Sequence, residues 1–498
     1  MRHFVDTAAA LLALTLATAP LAAQAPAGAA CDPTGSVKGD LARAQLLMTR
    51  AIQASDAKAD PSKDLYEVLR LTENGTDNPT ARSYLRGEAY VLLLSQPSAA
   101  PVMVRSAIGY KNNPTATIDL FAAADSSFTV VEKAMPECKA LLTQWRQQRP
   151  WLNTLNASIA ALNANKLDSA EILAKRSLLM DRHAPYAYSV LGSIAVARKN
   201  IPAAEQYWKQ TLDVAGTDTA YADVRVKTMY DVASTLTARA EAASAAEKRA
   251  AARATIKPWQ DYLAVATNEI LIADAVDNLS RMYVSAGDSA SMATIYAPFL
   301  ASPSKFGEIP LLHAGVVATK VNKHADAARL FAAALEQNPY SRDALNNLAA
   351  TYIQTKEYPK AFPIIDRLST IDPSNPDNAL LYAFAYQGMY KNTKDKKLQK
   401  TYTDSLVYFN DRSEKAPVKV IVSQFSRGAT ETVVGGTIEN LTATAKTYAL
   451  SVELLDKSGN VVATEAVKVG PVAPKAKQRF SFTTAKGGVY GMRYKPIT

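Results

Sequence analysis

Two prolines 34 residues apart, Pro339 and Pro373, each follow an Asn or Asp (Asn338, Asp372). The same offset superposes Leu311 on Leu345, Gly315 on Ala349, Ala327 on Ala361 and Phe331 on Ile365. A fixed period of this length marks a stacked array, in which each unit hides its apolar face against its neighbours rather than alone. From about residue 36 to 412 apolar residues recur at i, i+3, i+4 and i+7, so the repeating element is helical. Short turns carrying Gly, Pro, Asn or Asp break it, among them Asn74-Gly75, Asn113-Pro114, Ala215-Gly216 and Ala286-Gly287. Small residues such as Ala327 and Ala361 let paired helices approach, and large ones such as Phe331 and Tyr352 fill the space between hairpins. Proline stops the second helix and sets the start of the next unit.

This pattern resembles the tetratricopeptide repeat (TPR) family. The unit from Glu308 to Pro339 offers Leu311, Ala314, Gly315, Ala318, Ala327, Phe331, Ala334 and Pro339. The unit from Arg342 to Pro373 offers Leu345, Leu348, Ala349, Tyr352, Ala361, Ile365, Leu368 and Pro373. A third starts near Pro185 with Tyr188, Leu191, Gly192, Ala195, Ala204 and Trp208, and Ala170 lies 34 residues before Ala204. A weaker unit has Leu279, Tyr283 and Gly287, with one extra residue before Ala293; Gly87 and Tyr90 look like half a unit. The resemblance implies a mainly α fold, a TPR-like α-solenoid over 31–415; a non-repetitive helical bundle is the alternative. A last amphipathic helix near 397–411, with Leu398, Tyr402, Leu406 and Phe409, is expected to pack under Tyr382 and Tyr386 and cap the open end.

From Val418 the period switches from 3.6 to 2. Strands are expected at Val418–Val422, Val434–Ile438, Tyr448–Leu454, Val461–Val469, Arg479–Phe482 and Val489–Tyr494, with a hairpin at Asp456-Lys457-Ser458-Gly459-Asn460. Short strands with no helix between them predict a small all-β immunoglobulin-like sandwich over 417–498. The ordered set Gly436–Asn440, Val452–Asp456, Val472-Ala473-Pro474 and Phe480–Phe482 resembles the FxLYD-type domain of bacterial envelope proteins. Val452 stands where that family has Phe, and Leu455 where it has Tyr.

The N-terminus reads as an address. Arg2 precedes an apolar run from Ala8 to Ala19 that Pro20 ends, followed by small residues. That is a signal peptide of about residues 1–25, too short to span a bilayer. It predicts a periplasmic or secreted chain of the bacterial envelope, and no later segment has the apolar length of a membrane span. Cys31 and Cys138 are the chain's two cysteines, and an even count after a secretory signal predicts one disulfide. Two free thiols and lipidation of Cys31 are the rivals; for the latter, Gly28-Ala29-Ala30 lacks the Leu usual three positions upstream in a lipobox. The net charge is +10; Lys and Arg are scattered along the chain, densest at Lys391, Lys394, Lys396, Lys397 and Lys400, where a solvated loop and helix start account for them.

Composition limits the chemistry. Gly is 20 of 498, low for a loop-rich nucleotide-binding enzyme. There is no phosphate loop, no His-Glu-x-x-His and no Gly-x-Ser-x-Gly elbow. His183, His313 and His324 have no second ligand at metal spacing. No catalytic residue, cofactor or metal site is expected, and nucleic acid is not an expected partner. Stacked hairpins instead make a concave groove lined by the first helix of each unit. By position its candidates are Tyr186, Ile309, Leu312, Val316, Asp343, Asn346 and Ala350, a mostly apolar lining. Some TPR proteins clamp a C-terminal carboxylate with Lys and Asn; the matching places here hold Leu312 and Val316, and only Asn347 agrees. The expected function is a non-enzymatic envelope scaffold that binds a protein or peptide. The alternative is a glycan-binding protein with TPR-like helices, which would need exposed Trp platforms from Trp145, Trp151, Trp208 or Trp259.

Overall fold

The computed structural model describes residues 31–97 and 99–497. The signal peptide expected over 1–25 lies outside the described residues. The chain divides into two compact units, at Val232 and Ala233. The first holds α1 (Gly39–Asp56), α2 (Ser62–Thr72), α3 (Pro79–Leu94), the short strands β1 (Val102–Val104) and β2 (Thr117–Asp119), α4 (Leu120–Ala134), α5 (Lys139–Arg146), α6 (Arg149–Asn163), α7 (Leu167–Met180), α8 (Tyr186–Ala197) and α9 (Ile201–Ala215). The division falls inside α10 (Ala222–Ala242). The second unit holds α11 (Lys248–Leu263), α12 (Glu269–Ala286), α13 (Ala293–Ala301), α14 (Glu308–Lys320), α15 (His324–Gln337), α16 (Arg342–Gln354), α17 (Tyr358–Ile371), α18 (Asp377–Asn392) and α19 (Lys396–Glu414). Six strands complete it: β3 (Val418–Arg427), β4 (Thr432–Asn440), β5 (Lys446–Leu455), β6 (Val461–Val472), β7 (Lys477–Thr484) and β8 (Gly491–Tyr494). The fold is a TPR-like α-solenoid followed by small antiparallel sheets.

The hairpins α6–α7, α8–α9, α14–α15 and α16–α17 turn through one left-handed residue each: Asn165, Lys199, Asn322 and Lys356. These positions are 34 apart within each pair, so the backbone repeats with the sequence period. Asn tolerates this conformation because its short polar side chain can bond locally; Lys bears a modest strain there. Inside the hairpins a glycine on the first helix faces a ring on the second. A Cβ on Gly315 would collide with Phe331, and one on Gly192 with Trp208. Both rings are buried, as are the helix-contact alanines Ala204, Ala327 and Ala361.

The same lock completes the half unit at Gly87, whose added Cβ would collide with Phe128 on α4. Glycine and ring stand 41 residues apart here against 16 in the other two, because residues 95–119 are inserted at the turn. The insertion carries the β1–β2 ladder, Val102 opposite Asp119, where the sequence predicts a break at Asn113-Pro114 but no strand. Glu73 pins it: its carboxylate accepts from Arg105 (3.0 Å), Lys111 N–H (2.8 Å) and Asn112 N–H (2.9 Å). Asp119 then caps α4, accepting from the Phe121 and Ala122 amides. Cys31 and Cys138 are joined by a disulfide, with Cα atoms 5.1 Å apart. It ties the start of the described chain to the turn after α4 across 107 residues.

The sandwich has two three-stranded sheets, ordered β3-β4-β7 and β6-β5-β8. Val418, Val420, Val434, Ile438, Leu450, Val452, Leu454, Phe480 and Met492 fill the space between them. At one edge β3 and β8 meet the last repeats. Val420 N–H donates to Ser374 O (3.0 Å), and Ile497 N–H to Ser374 Oγ (2.9 Å). Arg342, half-buried on α16, donates to the carbonyls of Ile371 and Met492, both at 2.9 Å. The Tyr494 hydroxyl bonds the Asp372 carboxylate, and Arg427 reaches Glu308 at 3.1 Å. The capping helix α19 runs from 396 to 414, longer at both ends than its periodicity predicts, and Phe409 stacks on Tyr382 at 4.4 Å.

Candidate functional site

The first helices α14, α16 and α18 pack side by side in the second unit. Residues at one repeat position therefore form columns across them. Ile309, Leu312 and Val316 on α14 are half-buried, with the rest of their surface open. On α16, Asn346 is half-buried, while Asp343 and Ala350 are exposed. Six of the seven candidates thus lie on two adjacent helices. The position 34 beyond Ala350 is Phe384 on α18, which is 52% exposed. It extends the column Val316–Ala350–Phe384 and was missed because the third unit loses the family's second-helix residues. Where Ala361 and Ile365 stand in the preceding unit, the shifted positions hold Asp395 and Gln399. The 34-residue offset was the signal that could have found it.

Tyr186, the seventh candidate, belongs to the first unit and is not presented to solvent. Its ring sits edge-on between Trp151 (6.2 Å) and Tyr221 (5.9 Å), and its hydroxyl donates to Asp223 at 3.3 Å. Burial and the Asp223 carboxylate push its pKa up. The expectation that it lines a groove is corrected: the neighbouring hairpins supply rings that cover it.

Polar side chains border the α14 face. His313 Nδ1 lies 2.9 Å from Asp277 Oδ2 on α12, and Lys320 Nζ reaches Ser280 Oγ at 3.4 Å. Asp377 on α18 is paired with Lys419 at 2.6 Å, and Asp343 has no ion-pair partner among the described residues. The face is an apolar strip with carboxylates at its margin. It offers shape and desolvation.

A second concavity, of about 560 Å³, lies between α17, α18, α19 and the start of the sandwich. Phe362, Tyr382, Tyr386 and Phe409 wall it. Those rings already stack on one another, and the Tyr382 hydroxyl is taken by Asp366. Among the described residues, no group of three or more His, Cys, Asp or Glu could hold a metal. The Glu88 carboxyl on α3 is pushed up to about 8 by burial. Its neighbour Tyr84 accepts from Trp145 Nε1 at 3.1 Å, and Glu88 is 5% exposed, inside the first unit's core rather than in a cleft.

The tetratricopeptide repeat family profile matches residues 318–383, which join the second helix of one 34-residue unit to the first helix of the unit after next. No curated protein sequence matches the chain significantly. Among solved structures, similarity is found to YrrB, described as a TPR protein with an unusual peptide-binding site (16% identity over 50% of this chain and 94% of that one, TM-score 0.23). PilF of Pseudomonas aeruginosa (13%, 52% and 88%, TM-score 0.23) and the apo form of RapI (12%, 74% and 86%, TM-score 0.28) are also similar.

Proposed function

We propose that the chain is an exported, non-enzymatic scaffold whose second-unit groove binds an extended segment or helix of a partner protein. The observation that carries this is the open apolar strip formed by Leu312 and Val316 on α14, Ala350 on α16 and Phe384 on α18, three consecutive first helices. Soluble folds seldom leave a large ring half-exposed beside other apolar side chains without a use for it. The repeat period supplies a surface with a regular pitch, suited to side chains of a partner spaced along one line. The apolar run at Ala8–Ala19 and the Cys31–Cys138 disulfide support export to an oxidising compartment. The strand order and turn residues support an FxLYD-type sandwich that spaces or docks the repeats.

The glycan-binding alternative has less to stand on. Trp145, Trp151, Trp208 and Trp259 are all buried, so none offers a ring for a sugar to stack on.

The test is capture from an envelope fraction with the full chain as bait, followed by affinity measurement on the partner recovered. Phe384→Asp combined with Leu312→Asp should weaken that affinity more than about thirtyfold, as expected when two central apolar anchors are lost. A folded double variant that binds as tightly as the parent removes this groove from consideration. A fusion of residues 1–30 to a reporter active only outside the cytoplasm tests export separately.

A further inference from the structure

Nine of the chain's ten net positive charges fall in residues 391–498, where 18 Lys and Arg face 9 Asp and Glu. Within the sandwich five of these cations gather at one pole. Lys446 stands at the start of β5 opposite Val472, and Lys468 on β6 is opposite Ala449. Lys477 and Arg479 on β7 are opposite Glu439 and Thr437. Lys475, in the β6–β7 turn, donates its backbone N–H to Asn440 O at 2.8 Å and its ammonium to Leu441 O at 2.5 Å. All five are exposed.

The loops that present them are held from inside. Asn440 is fully buried; its amide donates to Thr444 O (2.7 Å) and Val472 O (2.9 Å), and its oxygen accepts from Thr442 and from the Tyr448 hydroxyl (2.9 Å). The β4–β5 and β6–β7 connections are thereby fixed to each other. One carboxylate stands among the cations, Glu439, 3.4 Å from Lys477. Lys446, Lys468 and Arg479 have no ion-pair partner among the described residues.

β6 and β7 are outer strands of their sheets, and charge on an outer strand blocks stray pairing. Either sign does that, and a balanced set would do it without concentrating the chain's net charge here. The one-sided sign needs a different cause. We propose that this pole of the sandwich docks on the surface of an anionic lipid bilayer. The cations come from a turn, a strand start and the two outer strands of different sheets, so a single bound strand or helix would meet only some of them. A plane of anionic headgroups meets them together, and each Lys or Arg close to such a surface adds about fivefold to binding. The rings beside these cations in sequence, Tyr448 and Phe480, are buried in the sandwich core, which argues against stacked bases as the ligand. The repeats bond to β3 and β8, while among the described residues none of the five cations hydrogen-bonds or ion-pairs with a repeat helix.

Sedimentation of the full chain with phosphatidylglycerol-containing vesicles tests this. Binding is expected at low salt, with none to pure phosphatidylcholine vesicles, and added salt should weaken it. Joint Lys446→Glu, Lys475→Glu, Lys477→Glu and Arg479→Glu should weaken it at least about thirtyfold, while Lys391→Glu, Lys394→Glu and Lys397→Glu together cost less than about threefold. Thermal unfolding shows whether the reversed chain is folded; if it is not, the four Gln replacements take its place with a smaller expected loss. The proposal is overturned if the parent ignores anionic vesicles at low salt, or if both sets of reversals weaken binding equally. It is also overturned if polyphosphate binds the chain and anionic vesicles do not compete.

Discussion

The α3–α4 and α14–α15 hairpins solve one packing problem under different constraints. Both press a ring, Phe128 or Phe331, onto a glycine of the partner helix, Gly87 or Gly315. The α14–α15 hairpin closes through a short turn and leans on neighbours built to the same period. The α3–α4 hairpin carries a 25-residue insertion and is secured by other means: the disulfide, the Glu73 anchor and the Tyr84–Trp145 hydrogen bond. The lock is thus a property of the two helix faces and not of the link between them. Where local periodicity is lost, covalent and polar ties replace stacking.

Removing the disulfide should break the comparison most. A Cys138→Ser chain loses the restraint on a loop of 107 residues, about 4–5 kcal/mol in the chain-entropy model. Reductant should therefore lower a melting transition of the first unit and leave that of the second in place, a split that calorimetry with and without dithiothreitol can read. If the two transitions move together, the disulfide does not act locally.

The ring truncations come next. Phe128→Ala and Phe331→Ala should each cost about 4 kcal/mol, because both empty a closely packed site that glycine alone can face. Urea unfolding of the two variants should give similar losses if the locks are equivalent; a much smaller loss at Phe128 would mean that the insertion has loosened its hairpin. Arg342→Ala should cost about 2–3 kcal/mol, since two carbonyls, of Ile371 and Met492, lose a charged donor. Hydrogen exchange in β8 should rise in that variant while exchange in α3 stays unchanged.

A pH dependence separates the two regions as well. The Glu88 carboxyl sits near 8 in the folded chain, against an ordinary 4.5, because burial disfavours its charged form. Its favourable contribution is complete below pH 4.5 and is lost as pH rises toward 8. The first unit should therefore lose stability across that interval, with a slope of up to about 1.4 kcal/mol per pH unit. Glu88→Gln should flatten the slope, as pH-dependent melting can show; an unchanged slope assigns it to other groups.

Much of this was legible in the sequence because a solenoid writes its contacts at a fixed offset. Ala327 and Ala361, and Phe331 and Ile365, are buried at equivalent places, as the spacing requires. The period-2 alternation of Val418, Val420 and Val422 likewise located the sheet. What escaped has identifiable physical causes. The partner of Gly87 was hidden because the insertion shifts Phe128 out of phase. Strands of three residues, such as β1 and β2, are too short to show a period. Phe384 lay on a first helix whose second helix had changed into a cap. Tyr186 was misread because its burial depends on Trp151 and Tyr221, which lie 35 residues away on either side. Local pattern carries no information about such neighbours.

The Arg342 bridge bears on how the molecule can be divided in the laboratory. One guanidinium serves a carbonyl at the end of α17 and another in the final strand, and Tyr494 closes on Asp372 beside it. A fragment cut at the composition change near residue 416 would keep the arginine and the aspartate but strip both of partners from β8. It would also bare the backbone of Ser374. Such a fragment would report on a damaged groove, so the smallest piece suited to ligand screening or antibody selection at Leu312, Val316 and Phe384 keeps the sandwich attached.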